Sequence, residues 1–300
     1  MEGGVKGKNP FTKQGIFFYT IPIMKRLLFL AVFLVMLVLD GFSQSTSGLS
    51  ITVEENNGRL TIVKCKGFVK EVVIPAEING MPVTAIGDYA FAKRELTSVT
   101  IPDSVTAIGR GAFAENKLAE LVIGDNVTSL GLGAFANNKL GRLTVGRGIT
   151  VIPRGCFQVN QLRMVELPDT ITVIEDYAFF GNQLSGITIP SAVTAIGEGA
   201  FAGNRITALT IGGGVSKIGD GAFYNNELNR VTIPGGVEEV GQRAFNNKPK
   251  NNSFARRVNY YDIHQQLLFS TDDSFDTYYN FQGRKSGTYI YADGAWSLGS

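Results

Sequence analysis

A 22-residue unit recurs in fixed register along most of this chain. Leu96, Leu118, Leu140, Leu162, Leu184, Ile206 and Leu228 open successive units, and Phe113, Phe135, Phe157, Phe179, Phe201, Phe223 and Phe245 follow 17 residues after each opening. Self-similarity at such a period means that each unit is one supersecondary module, unable to bury its apolar face alone and stacked on its neighbours. A core of that kind grows linearly with repeat number, so length does not set a domain count. Function is then to be sought on an extended surface rather than in one pocket.

One unit shows the physics. Leu96, Val99 and Ile101 face one way with Thr100 pointing out between the last two, an alternation that predicts a short strand ending at Pro102. Gly124, Gly146, Pro168, Pro190, Gly212 and Pro234 share that slot, so every strand stops at the same height. Val105 and Ile108 point inward across a second extended or tightly turned segment that Gly109 closes, and Ala112-Phe113 is expected as one helical or 3₁₀ turn. The Phe rings from Phe91 to Phe245 are expected to form a stacked spine. Asn116, Asn138, Asn160, Asn182, Asn204 and Asn226, three residues after each Phe, read as side chains that satisfy backbone groups between coils.

Cysteine use fits a core role. Cys156 takes the slot held elsewhere by Ala90, Ala112, Ala134, Ala178, Ala200, Ala222 and Ala244, so it reads as a small buried residue. Cys65 lies four coils away, about 19 Å at the spacing of stacked strands, which excludes a disulfide. Two free, buried thiols are expected.

Residues 24–43 read as a signal peptide. Met24-Lys25-Arg26 precedes the apolar run Leu27 to Leu39, and Gly41 and Ser43 set up a cut before Gln44. Thirteen apolar residues fall short of the roughly 20 that span a bilayer, so no membrane span is expected in the mature chain. Residues 1–23 read as an upstream extension before the true start at Met24. Removing residues 1–43 leaves 23 basic and 24 acidic groups of the original 28 and 26. A near-neutral chain without a basic block offers no footprint for nucleic acid.

The pattern L-x-x-V-x-I-P-x-x-V-T-x-I-G-x-x-A-F-x-x-N resembles the BspA-like, or treponemal-type, class of bacterial leucine-rich repeats across residues 69–248, about eight repeats. Five extra residues within Glu77 to Pro82 delay Phe91 in the first unit. The resemblance implies an α/β-type or mainly-β solenoid: a right-handed leucine-rich-repeat superhelix with a concave parallel β-sheet and short 3₁₀ or helical turns. It also implies a secreted or bacterial cell-surface location and adhesin-like binding to host matrix or plasma proteins, host cells or other bacteria. Family members often carry Cys where this chain has its Asn row, and no family residue with a fixed binding role transfers.

An open solenoid end exposes strand edges and core, so both ends call for caps. Residues 44–68 read as an N-terminal β cap, with Ile51 to Val53 and Leu60 to Ile62 flanking the hairpin signal Asn56-Asn57-Gly58. Residues 249–300 read as an aromatic C-terminal β cap or small module. There Phe275 to Phe281 and Thr288 to Tyr291 suggest a hairpin, and Asp293-Gly294 a second turn. The alternative for this tail is an aromatic binding platform of Tyr278, Tyr279, Tyr289, Tyr291 and Trp296, with glycans as ligand.

The residues offer no catalytic arrangement. His264, the sole histidine, has no nucleophile at a suitable distance, so the chain is not read as an enzyme, and no cofactor is expected. Asp103, Asp125 and Asp169 share a slot that Arg147 interrupts, a solvated turn position rather than a metal site. Surface remains. The outward strand slots, the third and fifth of each unit, vary most around Glu120, Val122, Arg142, Met164 and Glu166, where charged and apolar groups adjoin on consecutive coils. These are the candidate ligand-binding residues for a protein partner. Self-association through coil ends or tails is the structural alternative.

Overall fold

A computed structural model describes residues 34–35, 49–228 and 230–246, together with the backbone of strands at 258–261, 267–271, 279–280, 289–292 and 295–298. Residues 1–23, expected as an upstream extension, residues 24–43, expected as a signal peptide, apart from 34–35, and His264 lie outside the described residues. The repeats form a parallel β-solenoid of about 8 turns without helix. No helix among the described residues is long and apolar enough to cross a membrane.

Each coil has three sides. The first carries the three-residue strands, including Ser98–Thr100, Glu120–Val122 and Arg142–Thr144, with the middle residue inward and its neighbours out. They pair parallel one full repeat apart, as Arg142 with Glu120 and Thr144 with Val122. This sheet runs in segments: Glu71–Val73 pairs with Ser98–Thr100, Glu120–Val122 with Arg142–Thr144, and Gly186–Thr188 with Ala208–Thr210. Each strand ends in a turn in which the Pro or Gly carbonyl accepts from the inward residue three positions on, as Val105 N–H to Pro102 O at 3.1 Å.

The second side carries the two-residue strands, Ala107–Ile108, Ser129–Leu130, Val151–Ile152 and their successors, again in 22-residue register. Two further rows of bonds tie this side together. The Gly109 N–H donates to Ile86 O and Gly131 to Ile108 O, both at 2.7 Å, and the Thr106 hydroxyl donates to Thr84 O. Both rows lapse between the coils of Ser129 and Val151. There Pro153 replaces the glycine, and it has no N–H to donate. Its Cβ also enters a narrow space: one added to Gly131 would stand 2.2 Å from the Arg110 nitrogen. The Phe135 and Phe157 rings on either side of this joint are 5.9 Å apart, against 5.2 and 5.3 Å for the two preceding pairs.

The third side corrects the expected helical or 3₁₀ turn. Residues 109–114 form two overlapping turns, Ala112 N–H to Gly109 O and Ala114 N–H to Gly111 O, separated by a left-handed residue. That slot holds Gly111, Gly133, Gly155, Gly199 and Gly221 at φ between +55° and +60°, but Tyr89, Tyr177 and Arg243 in other coils. A second left-handed slot follows at Glu115, Asn137 and Val159. Alternating handedness turns successive odd N–H groups toward the next coil: Gly111 to Leu132 O, Phe113 to Ala134 O and Glu115 to Ala136 O, at 2.8–2.9 Å. A helix would spend those donors within its own coil. Here they bind coil to coil.

The interior is the stacked Phe column with its Leu, Ile and Val rows, and the eight rings of that column, one every 22 residues from Phe91 to Phe245, are fully buried. Each Asn of the row is buried and engages several backbone groups. Asn116 Nδ2 donates to Phe91 O, Phe113 O and Ala114 O, while its Oδ1 accepts from the N–H groups of Arg94 and Leu96. All of these bonds except the one from Arg94 recur in register down to Asn226.

Both cysteines are free and buried. Burial pushes the Cys65 thiol up to about 11, with Arg94 opposing; burial drives Cys156 higher still, against backbone hydrogen bonds from Ala134 and Phe135. Neither thiol is therefore expected to react with Ellman's reagent until the chain is unfolded, and Cys156→Ala should cost only about 1 kcal/mol because its slot is Ala in other coils. Rapid labelling of the native chain would contradict this.

At the N-terminal end Ser50–Asn56 and Arg59–Lys66 form an antiparallel hairpin around Asn57-Gly58, with both turn residues left-handed. Arg59–Lys66 then pairs with Met81–Ile86 at the start of the second ladder. Residues 34–35 add a short antiparallel pairing to Ser50–Asn56. The segment that holds the five extra residues forms a second small hairpin, Glu77–Ile78 with Met81–Pro82 around Asn79-Gly80. In the tail, Val258–Tyr261 extends the first ladder beyond Arg230–Thr232. Tyr279–Asn280 pairs antiparallel with Glu239–Val240 on the second ladder, not with the 288–291 segment as expected. Tyr289–Ala292 pairs instead with Ala295–Leu298 across Asp293-Gly294.

Candidate functional site

Alternation along each three-residue strand puts Glu120 and Val122 on one coil, and Arg142 and Thr144 on the next, at the surface of the first side. Parallel register sets Arg142 beside Glu120, with Nη1 and Oε2 4.0 Å apart. Both groups are largely solvated, so this pair orients the side chains more than it stabilises the fold. Thr144 bridges in turn to Glu166. After Glu166 the sheet is interrupted. The slot beside Met164 on the next coil is Gly186, which offers no side chain for a cross-strand pair.

Across the two coils before this interruption lies a depression of about 780 Å³ lined by Arg142, Thr144, Met164 and Glu166. Met164 is 68% exposed on its wall. Three of the sequence-derived residues, Arg142, Met164 and Glu166, thus meet at one cavity, and Glu120 joins through its pair with Arg142. Val122 is 64% exposed but does not line the depression. Sequence reading missed Arg147, Arg163 and Asp169, which also line it. Arg147 was visible as the break in the Asp series. Its backbone N–H donates to Asp125 Oδ1 at 2.7 Å, which fixes the turn that carries it. The combination of a flexible thioether, guanidinium groups and carboxylates suits recognition of a mixed polar and apolar protein surface.

Tyr278 of the alternative tail site lies outside the described residues. Tyr279, Tyr289, Tyr291 and Trp296 fall in strands whose side chains are likewise outside them. Among the described residues no group of three or more His, Cys, Asp or Glu side chains is placed to hold a metal ion.

The model of the BspA type leucine rich repeat region matches residues 84–206 and 194–279, in 6 copies. The chain belongs to the BspA-type leucine-rich-repeat family. No curated protein matches it. Solved structures similar to this BspA-type chain include a leucine rich cell surface protein from Faecalibacterium prausnitzii, 24% identical, TM-score 0.41, covering 65% of this chain and 84% of that one. A leucine-rich repeat protein from Eubacterium ventriosum is 22% identical with TM-score 0.43, covering 73% and 72%. The pneumococcal vaccine antigen PcpA is 17% identical with TM-score 0.37, covering 72% and 81%.

Proposed function

We propose that this chain is a surface-associated interaction module, exported by its signal peptide, that binds a protein ligand through the cavity on the first side of the solenoid. BspA-type repeats serve protein–protein interaction in general. The narrower reading is adhesin-like capture of a host matrix or plasma protein, a host cell surface or another bacterium. The observation that carries it is the convergence of Arg142, Met164 and Glu166 on one depression across two consecutive coils. Elsewhere the outward slots are mostly Thr and small residues.

The test begins with pull-down of the mature chain against matrix and plasma proteins. Substituting Arg142, Met164 and Glu166 together by Ala is expected to weaken capture at least about tenfold, since clustered hot-spot residues carry most interface energy. The melting temperature should stay within a degree or two of the parent, because surface positions seldom contribute beyond about 0.5 kcal/mol. Undiminished capture by the triple variant would move the site off this face.

A further inference from the structure

The third side of the stack carries a departure that the repeat does not require. Its two outward slots hold Gly and Ala in three coils, at Gly111 with Ala114, Gly133 with Ala136 and Gly199 with Ala202. In coil 162–183 they hold Tyr177 and Phe180, and in coil 206–227 the second holds Tyr224. Phe180 is 38% and Tyr224 42% exposed. Between them coil 184–205 keeps Gly199 and Ala202, so the aromatic groups stand on either side of a small-residue floor. The result is a depression of about 410 Å³.

Tyr177 is built in firmly. Its backbone is left-handed at φ +56°, where most sibling coils use glycine, and such positions are strained for a bulky residue. Its ring lies across Gly199, where an added Cβ would stand 2.6 Å from Cε1. The Phe180 ring meets it edge-on at 6.0 Å. Its hydroxyl donates to Glu198 Oε1. That hydrogen bond pushes the Tyr177 phenol up, reinforced by desolvation and by the carboxylates of Glu198 and Asp176, with Arg154 opposing.

Charge on this side changes sign along the stack. One outward slot reads Arg110, Leu132, Arg154 in consecutive coils and then Asp176, Glu198, Asp220. Neighbouring like charges in register repel. No ion pair engages these three carboxylates among the described residues. Asp176 and Asp220 have a structural use, since their Oδ1 atoms accept the N–H groups of Glu198 and Gln242, but each retains a second oxygen. Arg243 also lines the depression and has an interaction of its own. The chain already displays one solution to this environment: the Arg154 guanidinium sits over the Tyr177 ring, 5.7 Å from its centroid.

We propose that the depression bounded by Tyr177, Phe180 and Tyr224 is a second docking site, distinct from the sheet-face cavity, which takes an arginine or lysine side chain presented by a partner protein. The aromatic faces supply cation–π attraction, and Glu198 and Asp220 supply the counter-charge.

The test titrates the full mature chain with a labelled glycine-serine peptide carrying a central arginine pair, and with its citrulline counterpart, which keeps shape and loses charge. The arginine peptide should bind at least about fivefold more tightly, and salt should weaken it. Glu198→Gln with Asp220→Asn keeps the acceptors for Tyr177 and Gln242, so melting should hold while arginine binding falls about fivefold. Should that pair perturb folding, Tyr224→Ala alone removes an exposed ring and should cause a similar loss. The triple variant at Arg142, Met164 and Glu166 should bind the peptide normally. Equal binding of both peptides, or arginine binding untouched by the charge-removing pair and by Tyr224→Ala, would overturn the proposal. So would a neutral oligosaccharide that binds here regardless of Glu198 and Asp220, which would mark a glycan surface instead.

Discussion

Phe179→Ala is expected to destabilise the chain by about 3–5 kcal/mol, the cost of a large core truncation that the surroundings cannot fill. The ring is fully buried and stacks on Phe157 at 5.4 Å and Phe201 at 5.3 Å. Its backbone N–H donates to Ala200 O and is anchored in the turn, so neighbouring coils cannot close on the void without breaking coil-to-coil bonds. Removing one ring strips two stacking partners at once, each contact worth about 0.5–1.5 kcal/mol beyond burial. Urea melts of parent and variant check this. A variant with the parent midpoint would show that the ring is not core.

Asn182→Ala is expected to cost about 2–4 kcal/mol, because a buried backbone group left without a partner costs about 1–3 kcal/mol. Asn182 Oδ1 accepts the Leu162 N–H at 3.1 Å, and Nδ2 donates to Phe157 O at 3.0 Å and Phe179 O at 3.1 Å. One side chain thus closes its own coil and ties it to the preceding one. Asn182→Asp should be worse at neutral pH, since a carboxylate cannot donate and would face two carbonyl oxygens in a buried site. Those surroundings raise the folded-state pKa of the new carboxyl above its unfolded value. The folded chain then binds the proton more tightly, so the variant loses stability as pH rises through the range between the two values, and regains it as pH falls. Melting midpoints of parent, Ala and Asp variants across that range test the sign. An Asp variant with the parent's pH profile would refute it.

The rows of this solenoid were legible because a periodic side chain meets the same environment in every coil. The Leu openings, the Phe spine, the Asn row and the buried Cys156 in an Ala slot all follow from that repetition. The turn at Ala112-Phe113 was misread because side-chain period says nothing of backbone handedness. The glycines at 111, 133 and 155 carried the missing signal, and left-handed backbone there excludes a helix. The tail pairing was out of reach for a different reason. Tyr279–Asn280 is placed by an open ladder edge at Glu239–Val240, a distant partner that no local pattern announces.

At the sheet face, sequence variation found Arg142, Met164 and Glu166 but not the cavity they share, whose wall is completed by the turns carrying Arg147 and Asp169. Arg163 was missed because its slot is not an outward strand position by alternation. Tyr177, Phe180 and Tyr224 were visible as bulky residues in Gly and Ala slots, yet an aromatic ring in an apolar repeat reads first as core. Exposure, not identity, sets them apart.

The joint at Pro153 gives the stack a wedge. Between the coils of Glu120 and Arg142 the first side stays paired, while the second side loses its ladder and the rings move apart. The third side also holds, through the N–H groups of Gly133, Phe135 and Asn137 to the coil of Pro153. A single imino acid therefore opens one of the three sides at one joint, and the strand carrying Arg142 keeps its register beside Glu120.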